Sequence, residues 1–287
     1  MATINFLATA LPGGATYQKR WNDGTWVDFA GSESQIDGTL TGLSAGQGIF
    51  EIRAKNDTAV IRQIANVLVG DIFIIAGQSN ASGRGLNLQS YSHATLKAAG
   101  YKSDTWQELA DPVGYDSSAG QGSPWPLVAT SFLADQGVPC GFISVSQGGT
   151  TISQWQKLGT YYTRLSDTIA AIGGNIKAVL FHLGESDAIA TTSEATFNSG
   201  LDSLANDIYS DFGVPTVVSK IHDIQENGDN TNVNAAIATA WGDNANVLAG
   251  PDIGSYTTSV DTLHFKTDDE LADLAGYWWS AIETAFY

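Results

Sequence analysis

Asp71-Ile-Phe-Ile-Ile-Ala-Gly-Gln-Ser-Asn-Ala-Ser-Gly-Arg-Gly85 decides the fold. Its apolar run is too short for a helix and stops at a glycine, so it reads as a strand buried on both faces. A serine then follows on a glycine-flanked turn. Such a turn lifts a hydroxyl above the end of a sheet and aims the next backbone N–H at a developing oxyanion. The pattern is not Gly-x-Ser-x-Gly, because Ala81 holds the last position, and a plain Gly/Ser/Asn turn fits the spacing equally well.

Outward from this strand the chain changes rhythm. C-terminal to it, apolar runs at 140–145, 176–182, 215–221 and 246–249 alternate with helical patterns at 125–136, 161–172, 194–212, 233–241 and 268–286. Gly137, Gly173 and Gly213 stand where helix C-caps belong. Strand–helix alternation predicts right-handed crossovers and a parallel sheet covered on both faces, with ligands beyond the carboxyl ends of the strands. N-terminal to it, β-rich runs at 3–8, 17–21, 25–29, 35–40, 48–54 and 59–67 are separated by turn signals at Pro12-Gly13-Gly14, Asn22-Asp23-Gly24 and Lys55-Asn56-Asp57. This predicts a small antiparallel β-rich domain over 1–68 ahead of an α/β domain over 69–287.

Composition bounds the function. The 287 residues carry 13 Lys and Arg against 30 Asp and Glu, a net charge of −17, which leaves no basic stripe for a nucleic-acid backbone. No stretch approaches the roughly 20 apolar residues of a membrane-spanning helix. The single cysteine, Cys140, excludes an intramolecular disulfide and a cysteine-based metal site. The N-terminus lacks the basic and apolar regions of a secretory leader. The chain is low in Lys and rich in Gly, Ser and Thr, so an extracellular, leaderless or virion-associated protein is expected, with the compartment left open.

Chemistry-bearing residues gather at the strand ends. The second strand ends in Ser146-Gln147-Gly148-Gly149-Thr150, whose paired glycines permit close backbone approach to an oxyanion or only a tight turn. The third ends in His182-Leu183-Gly184-Glu185-Ser186-Asp187, a histidine and two carboxylates whose gathering at a buried strand end favours a functional role over helix capping. Near the C-terminus, Asp261-Thr262-Leu263-His264 places a carboxylate three residues before a histidine. That spacing suits an orienting acid on Nδ1 with Nε2 left free as a base, though it is also common by chance. His93 and His222 read as ordinary loop or strand-end residues, and scattered His and Asp show no metal-ligand spacing.

Taken together and in order, Gly77-Gln-Ser-Asn with Ser82-Gly-Arg-Gly, Gly148-Gly-Thr, His182-Leu-Gly-Glu-Ser-Asp and Asp261-Thr-Leu-His resemble the blocks of the SGNH hydrolases. The branch most like it holds the sialate O-acetylesterases and the carbohydrate esterase family 6 acetylxylan esterases. The resemblance covers roughly residues 66 to 287. It implies a three-layer α/β/α, flavodoxin-like fold with a five-stranded parallel sheet, preceded by the antiparallel β-rich segment. It implies a serine esterase that removes O-acetyl groups from carbohydrates through an acetyl-enzyme. Ser79 would be the nucleophile, His264 the general base and Asp261 its orienting acid. The oxyanion would be held by the backbone N–H of Ser79 and of Gly149 or Gly148. Gln78, Asn80, Glu185, His182 and Arg84 would support the site, with Glu185 a rival to Asp261.

The usual third block of that branch reads Trp-His-Gln-Gly-Glu-Ser-Asp. Here Phe181 replaces the Trp and Leu183 the Gln, removing a side-chain hydrogen bond that Asn80 would have to supply instead. Trp125 and Trp155 lie near the blocks, either as platforms for a sugar or as core aromatics. The expected substrate is an acetylated oligo- or polysaccharide, with no metal or organic cofactor and no nucleic-acid or membrane partner. A catalytically weak or inactive esterase-fold module that binds carbohydrate or serves a structural role is the alternative. A lipase or thioesterase on the same fold is a third reading.

Overall fold

The computed structural model describes residues 2–9, 16–29, 35–116 and 121–287. The chain divides into two compact units, one of residues 1–70 with 95–97 and 136–140, the other holding the remainder.

The first unit is antiparallel β. Its strands are β1 (Ala2–Thr9), β2 (Tyr17–Trp21), β3 (Val27–Phe29), β4 (Gln35–Leu43), β5 (Gly46–Ala54) and β6 (Asp57–Val69). β1 pairs with β4, and β3-β2-β5-β6 form a second sheet. The Asn22-Asp23-Gly24 signal does join β2 to β3, in the register Tyr17↔Phe29 and Lys19↔Val27. Asn22 adopts φ +51° there, and its side chain accepts a 2.8 Å hydrogen bond from the Ile49 N–H. A Cβ on Gly48 would lie 2.0 Å from that side chain, so a larger residue would displace Asn22 from its hydrogen bond. Tyr17, Phe50, Ile52, Ala54, Leu43 and Val69 form the small core of this unit. The Pro12-Gly13-Gly14 turn lies outside the described residues.

The second unit is a three-layer α/β/α sandwich. Its elements are β7 (Asp71–Gly77), α1 (Ser79–Ser82), β8 (Ala98–Lys102), β9 (Thr105–Glu108), α2 (Trp125–Gln136), β10 (Cys140–Ser144), α3 (Thr160–Ala171), β11 (Ala178–His182), α4 (Glu185–Ile189), α5 (Glu194–Phe212), β12 (Thr216–Ser219), α6 (Thr231–Asp243), β13 (Val247–Ala249) and α7 (Asp268–Phe286). The sheet order is β13-β12-β11-β7-β10-β8-β9. Numbered by appearance, its five parallel strands run 2-1-3-4-5, the flavodoxin-like order, with the topological switch point at β7.

The sheet has seven strands rather than the expected five because a hairpin, β8–β9, extends one edge. Its two-residue turn is Ser103-Asp104, with φ +51° and +56°, a primed turn built without the glycine that usually announces one. That missing glycine is why the sequence pattern passes over it.

Alternation along β7 splits the core in two. Ile74 and Ala76 join Ile143, Val145, Val179 and Phe181 beneath α3, α5 and α6. Phe73 turns to the opposite face, where it stacks on Phe142 at 5.3 Å and meets Phe132 of α2 edge-on at 6.1 Å. Trp125 of α2 lies 5.2 Å from Trp278 of α7 in the same layer. α5 opens on a Ser193 N-cap and closes on Gly213 at φ +70°. α7 opens on a Thr267/Glu270 capping box. Among the described residues no helix is long and apolar enough to cross a membrane.

Phe73 is wholly buried, and the rigid aromatic layer around it has little freedom to collapse. Phe73→Ala is expected to cost about 3–5 kcal/mol, read as a lowered denaturant midpoint of the unit that holds the parallel sheet.

Candidate active site

Close approach of two strands creates the turn that carries Ser79. β7 and β11 pair in parallel up to Gly77↔His182. Gly77 has φ +121°, and a Cβ on it would lie 2.0 Å from the His182 carbonyl oxygen. The chain therefore turns sharply, Gln78 N–H donates to that same oxygen at 2.9 Å, and Ser79 opens the one-turn helix α1. Gly83, at φ +95°, closes it by donating to the Ser79 carbonyl at 2.9 Å. Residues at the start of a helix keep backbone N–H groups without intrahelical partners, so the Ser79 N–H is held available.

The histidine arrives from a loop 185 residues away. Ser79 Oγ lies 3.0 Å from His264 Nε2, and His264 Nδ1 lies 2.8 Å from Asp261 Oδ2. Asp261 Oδ1 accepts from the Leu263 N–H at 2.8 Å, which curls the loop so that ring and carboxylate meet. Asn80 fixes this loop against α1. Its amide nitrogen donates to the Leu263 carbonyl at 3.2 Å, and its amide oxygen accepts from the Phe265 N–H at 3.3 Å. Phe265 is clasped between His222 and Tyr256, with ring centroids 5.0 and 5.1 Å away.

Burial drives the His264 imidazole below its ordinary value of 6.5; the Asp261 hydrogen bond and charge oppose this, while Lys266 and Arg84 reinforce it. Burial works to raise the Asp261 carboxyl, but the hydrogen bonds from His264 and Leu263 outweigh it and hold the group below 3.8. At neutral pH the pair is thus a neutral imidazole on a carboxylate.

His182 and Glu185 lie behind this row, both completely buried. Glu185 does not reach His264. Its Oε1 accepts from the Asn80 amide at 2.6 Å and stands 3.6 Å from His182 Nε2. Burial raises the Glu185 carboxyl to about 7 and lowers the His182 imidazole to about 3. Gln78 Oε1 accepts from the N–H of Gly184 and Ser186 at 3.4 and 3.2 Å, binding α1 to the start of α4. Asp187, the second carboxylate of the block, accepts from the Ile152 N–H at 2.9 Å. Leu183 is buried in the core and offers the site no polar atom.

The glycine-rich loop after β10 separates two residues that the sequence left equivalent. The Gly148 N–H is spent on Asp116 Oδ2 at 2.7 Å. Gly149, at φ +71°, faces open space and donates to no group among the described residues. Of the pair, only Gly149 keeps a free donor. Asp116 also takes an ion pair from Arg84, whose Nη1 donates to the Gly83 carbonyl at 2.7 Å. Arg84 is therefore a brace between the Ser79 turn and the glycine loop, with Asp116 as its counterpart. Sequence reasoning missed Asp116, because a lone Asp in the loop between β9 and α2 carries no signal.

Three expectations need correction. Trp125 and Trp155 are fully buried and present no face to a sugar; their indole N–H groups donate to the Ala81 carbonyl at 2.7 Å and to Thr150 Oγ1 at 2.9 Å, buttressing α1 and the glycine loop from within. The Asn80 amide is committed to Glu185 and Leu263, so it does not replace the missing Gln as an oxyanion donor. Gly148 is likewise engaged. Among the described residues no group of three or more His, Cys, Asp or Glu side chains is placed to hold a metal ion.

Fold and site define a hydrolase-like α/β architecture with a serine, a histidine and an aspartate in line above the sheet, and known proteins share the architecture. A carbohydrate acetylesterase from Xanthomonas citri matches 99% of this chain and 71% of its own, with a TM-score of 0.69 at 15% identity. A protein from Arabidopsis thaliana matches 76% of this chain and 99% of its own, with a TM-score of 0.63 at 23% identity. In sequence, a probable carbohydrate esterase of Arabidopsis thaliana is 24% identical over 170 residues, 51% of this chain; the chain spans 65% of that relative's length. The model of the family described as carbohydrate esterase, sialic acid-specific acetylesterase matches residues 69–273. The chain belongs to that family, as the ordered blocks of its sequence imply.

The His264 ring gives a direct check on this electrostatic description. Its proton-NMR titration is expected to show a midpoint below 6.5, and Asp261→Asn to move it lower still, since the carboxylate is what holds it up. Glu185 gives a second. A carboxyl raised from 4.5 to about 7 in the folded state favours folding below the unfolded value, and that contribution is lost as pH rises towards 7. The Tm of Glu185→Gln relative to the native protein is therefore expected to be higher at pH 8 than at pH 5.

Proposed function

We propose that the protein is a serine esterase that removes acetyl groups from carbohydrate hydroxyls, with 69–287 as its esterase domain and 1–68 as an accessory β-domain. One observation carries the reading: the unbroken line from Ser79 Oγ to His264 Nε2 at 3.0 Å and from His264 Nδ1 to Asp261 at 2.8 Å. Membership of a carbohydrate esterase family supports the substrate class.

With Nδ1–H donated to Asp261, Nε2 carries the lone pair that faces the serine. Ser79 Oγ attacks the acetyl carbonyl and its proton passes to Nε2. The carbonyl electron pair moves onto oxygen, where the N–H groups of Ser79 and Gly149 meet it. Collapse expels the sugar oxygen, which takes the proton from Nε2 and leaves an acetyl-enzyme. A water then gives its proton to Nε2, attacks the acetyl carbon and releases acetate, and Ser79 recovers its proton. Asp261 stays ionised and compensates the transient imidazolium.

Leu183 leaves this oxyanion hole with two backbone donors. A lost third donor costs about 100- to 1,000-fold, and this favours the weakly catalytic, saccharide-binding module as a second reading.

Hydrolysis of a chromogenic acetyl ester separates the two. Turnover is expected in the native protein, with Ser79→Ala at background and Asp261→Asn reduced by about 1,000- to 10,000-fold. His264 must be neutral to act as a base, so kcat/KM is expected to rise with pH and reach half its plateau below pH 6.5. Equal rates for the native protein and a folded Ser79→Ala would reject the esterase reading.

A further inference from the structure

Beyond the serine, one side of the second unit carries a recess that the reaction scheme does not use. A cleft of about 310 Å³ opens between the turn of the β8–β9 hairpin and the outer face of α3. Tyr101 and Asp104 of the hairpin, Tyr115 of the following loop, and Thr163, Arg164 and Asp167 of α3 line it. The α3 residues fall at i, i+1 and i+4, one stripe of the helix, while Tyr162, Leu165 and Ile169 bury the opposite stripe. Its polar stripe is thus turned to the cleft rather than to a neighbouring element.

The lining has a definite chemistry. Two tyrosine rings offer flat apolar surface with a polar tip, and Tyr115 is 49% exposed. Arg164 lies 5.0 Å over the Tyr115 ring and 5.3 Å over that of Tyr161, which holds its guanidinium in place. Its Nη1 donates to the Val145 carbonyl at 3.3 Å and to Gln147 Oε1 at 3.2 Å. One cation faces two carboxylates, Asp104 and Asp167, so the lining is net negative, on a chain whose net charge is −17. Carboxylates, a threonine hydroxyl and aromatic faces suit a ligand that is uncharged, rich in hydroxyl donors and apolar on its ring faces. They repel an anionic one.

Two hydrogen-bonded routes tie this cleft to the glycine loop. Gln147, held by Arg164, directly precedes Gly148, and Cα atoms across a trans peptide are only 3.8 Å apart. Tyr115 directly precedes Asp116, which accepts from the Gly148 N–H at 2.7 Å. The cleft therefore borders, through Gln147 and Asp116, the loop that bears the free Gly149 N–H.

We propose that the cleft between the β8–β9 turn and α3 is a subsite for uncharged sugar residues of a glycan chain, next to the residue whose ester is cleaved; this placing of the ester rests on the esterase reading. The subsite supplies affinity for chain length, and the serine site supplies chemistry.

Calorimetric titration with unacetylated xylohexaose, mannohexaose and sialyllactose tests binding without any turnover. At least one neutral hexaose is expected to bind. Tyr115→Ala and Asp167→Ala should each weaken it at least tenfold, and sialyllactose should not bind. Asp167 is an exposed helix residue whose replacement leaves the core untouched, which keeps the test decisive should Tyr115→Ala misfold. Binding of neither hexaose, binding that Asp167→Ala leaves within twofold, or sialyllactose binding that the variants abolish would each overturn the proposal.

The same variants on esters give the second readout. KM for an acetylated neutral oligosaccharide is expected to rise at least tenfold with kcat held, while kcat/KM for a small chromogenic acetate stays within twofold. A native protein that hydrolyses neither ester would remove the esterase reading, and the titration would still decide the cleft.

Discussion

The contact between Gly77 and the His182 carbonyl is the constraint on which the site depends. A side chain at 77 would stand 2.0 Å from that oxygen, so β7 and β11 approach there as only glycine permits. The approach lies at the switch point of the sheet, where crossovers leave in opposite directions and open a crevice. It forces the chain to turn at once, which sets Ser79 at the head of a helix with its N–H unspent. Gln78 then reaches over to the start of α4, and Asn80 to the loop of His264. Three successive side chains of one turn thus reach two elements, the start of α4 and the His264 loop, and tie them together.

Electrostatics behind the serine follow from the same burial. His182 and Glu185 are completely buried away from bulk solvent, and burial moves both towards their neutral forms: the imidazole goes down to about 3 and the carboxyl up to about 7. A buried ion pair there would have to recover a large desolvation cost from a 3.6 Å contact. Neutral groups impose no such cost. Below pH 7 Glu185 is mostly neutral and still accepts from Asn80, so there the polar cluster supports the His264 loop without adding a second charge beside Asp261. Asp261 is less buried and better hydrogen-bonded, and it is held below the ordinary carboxylate range 2.8 Å from the His264 imidazole.

The glycine loop is held by side chains rather than by a ladder. Arg84, from the Ser79 turn, pairs with Asp116, and Asp116 takes the Gly148 N–H. Thr150 and Trp155 secure the far side. This bracing leaves one glycine donor free and joins the serine site to the neighbouring cleft through Tyr115 and Gln147. Leu183 contributes packing to the core beside the glycine loop and the start of α4.

The alternation of short buried runs with helical patterns determined the doubly wound unit, because a period of two against one of 3.6 is a local property that tertiary contacts seldom reverse. The extents of α2, α5 and α7 and the Asn22-Asp23-Gly24 hairpin were legible for the same reason. Spacing alone left Ser79, Asp261 and His264 open; the resemblance of the ordered blocks singled them out, and the fold brings the three side chains into hydrogen-bonding distance. The tertiary structure decided what distance in sequence conceals. The β8–β9 hairpin turns on two non-glycine residues with positive φ, a conformation that composition does not announce. Asp116 acquires its partners only when three loops converge. Trp125, Trp155, Asn80 and Gly148 are residue types suited to touching substrate, yet packing spent their donors inside the protein. A side chain's chemistry is written in the sequence, but whether its hydrogen bonds are already satisfied depends on which neighbours the fold brings to it.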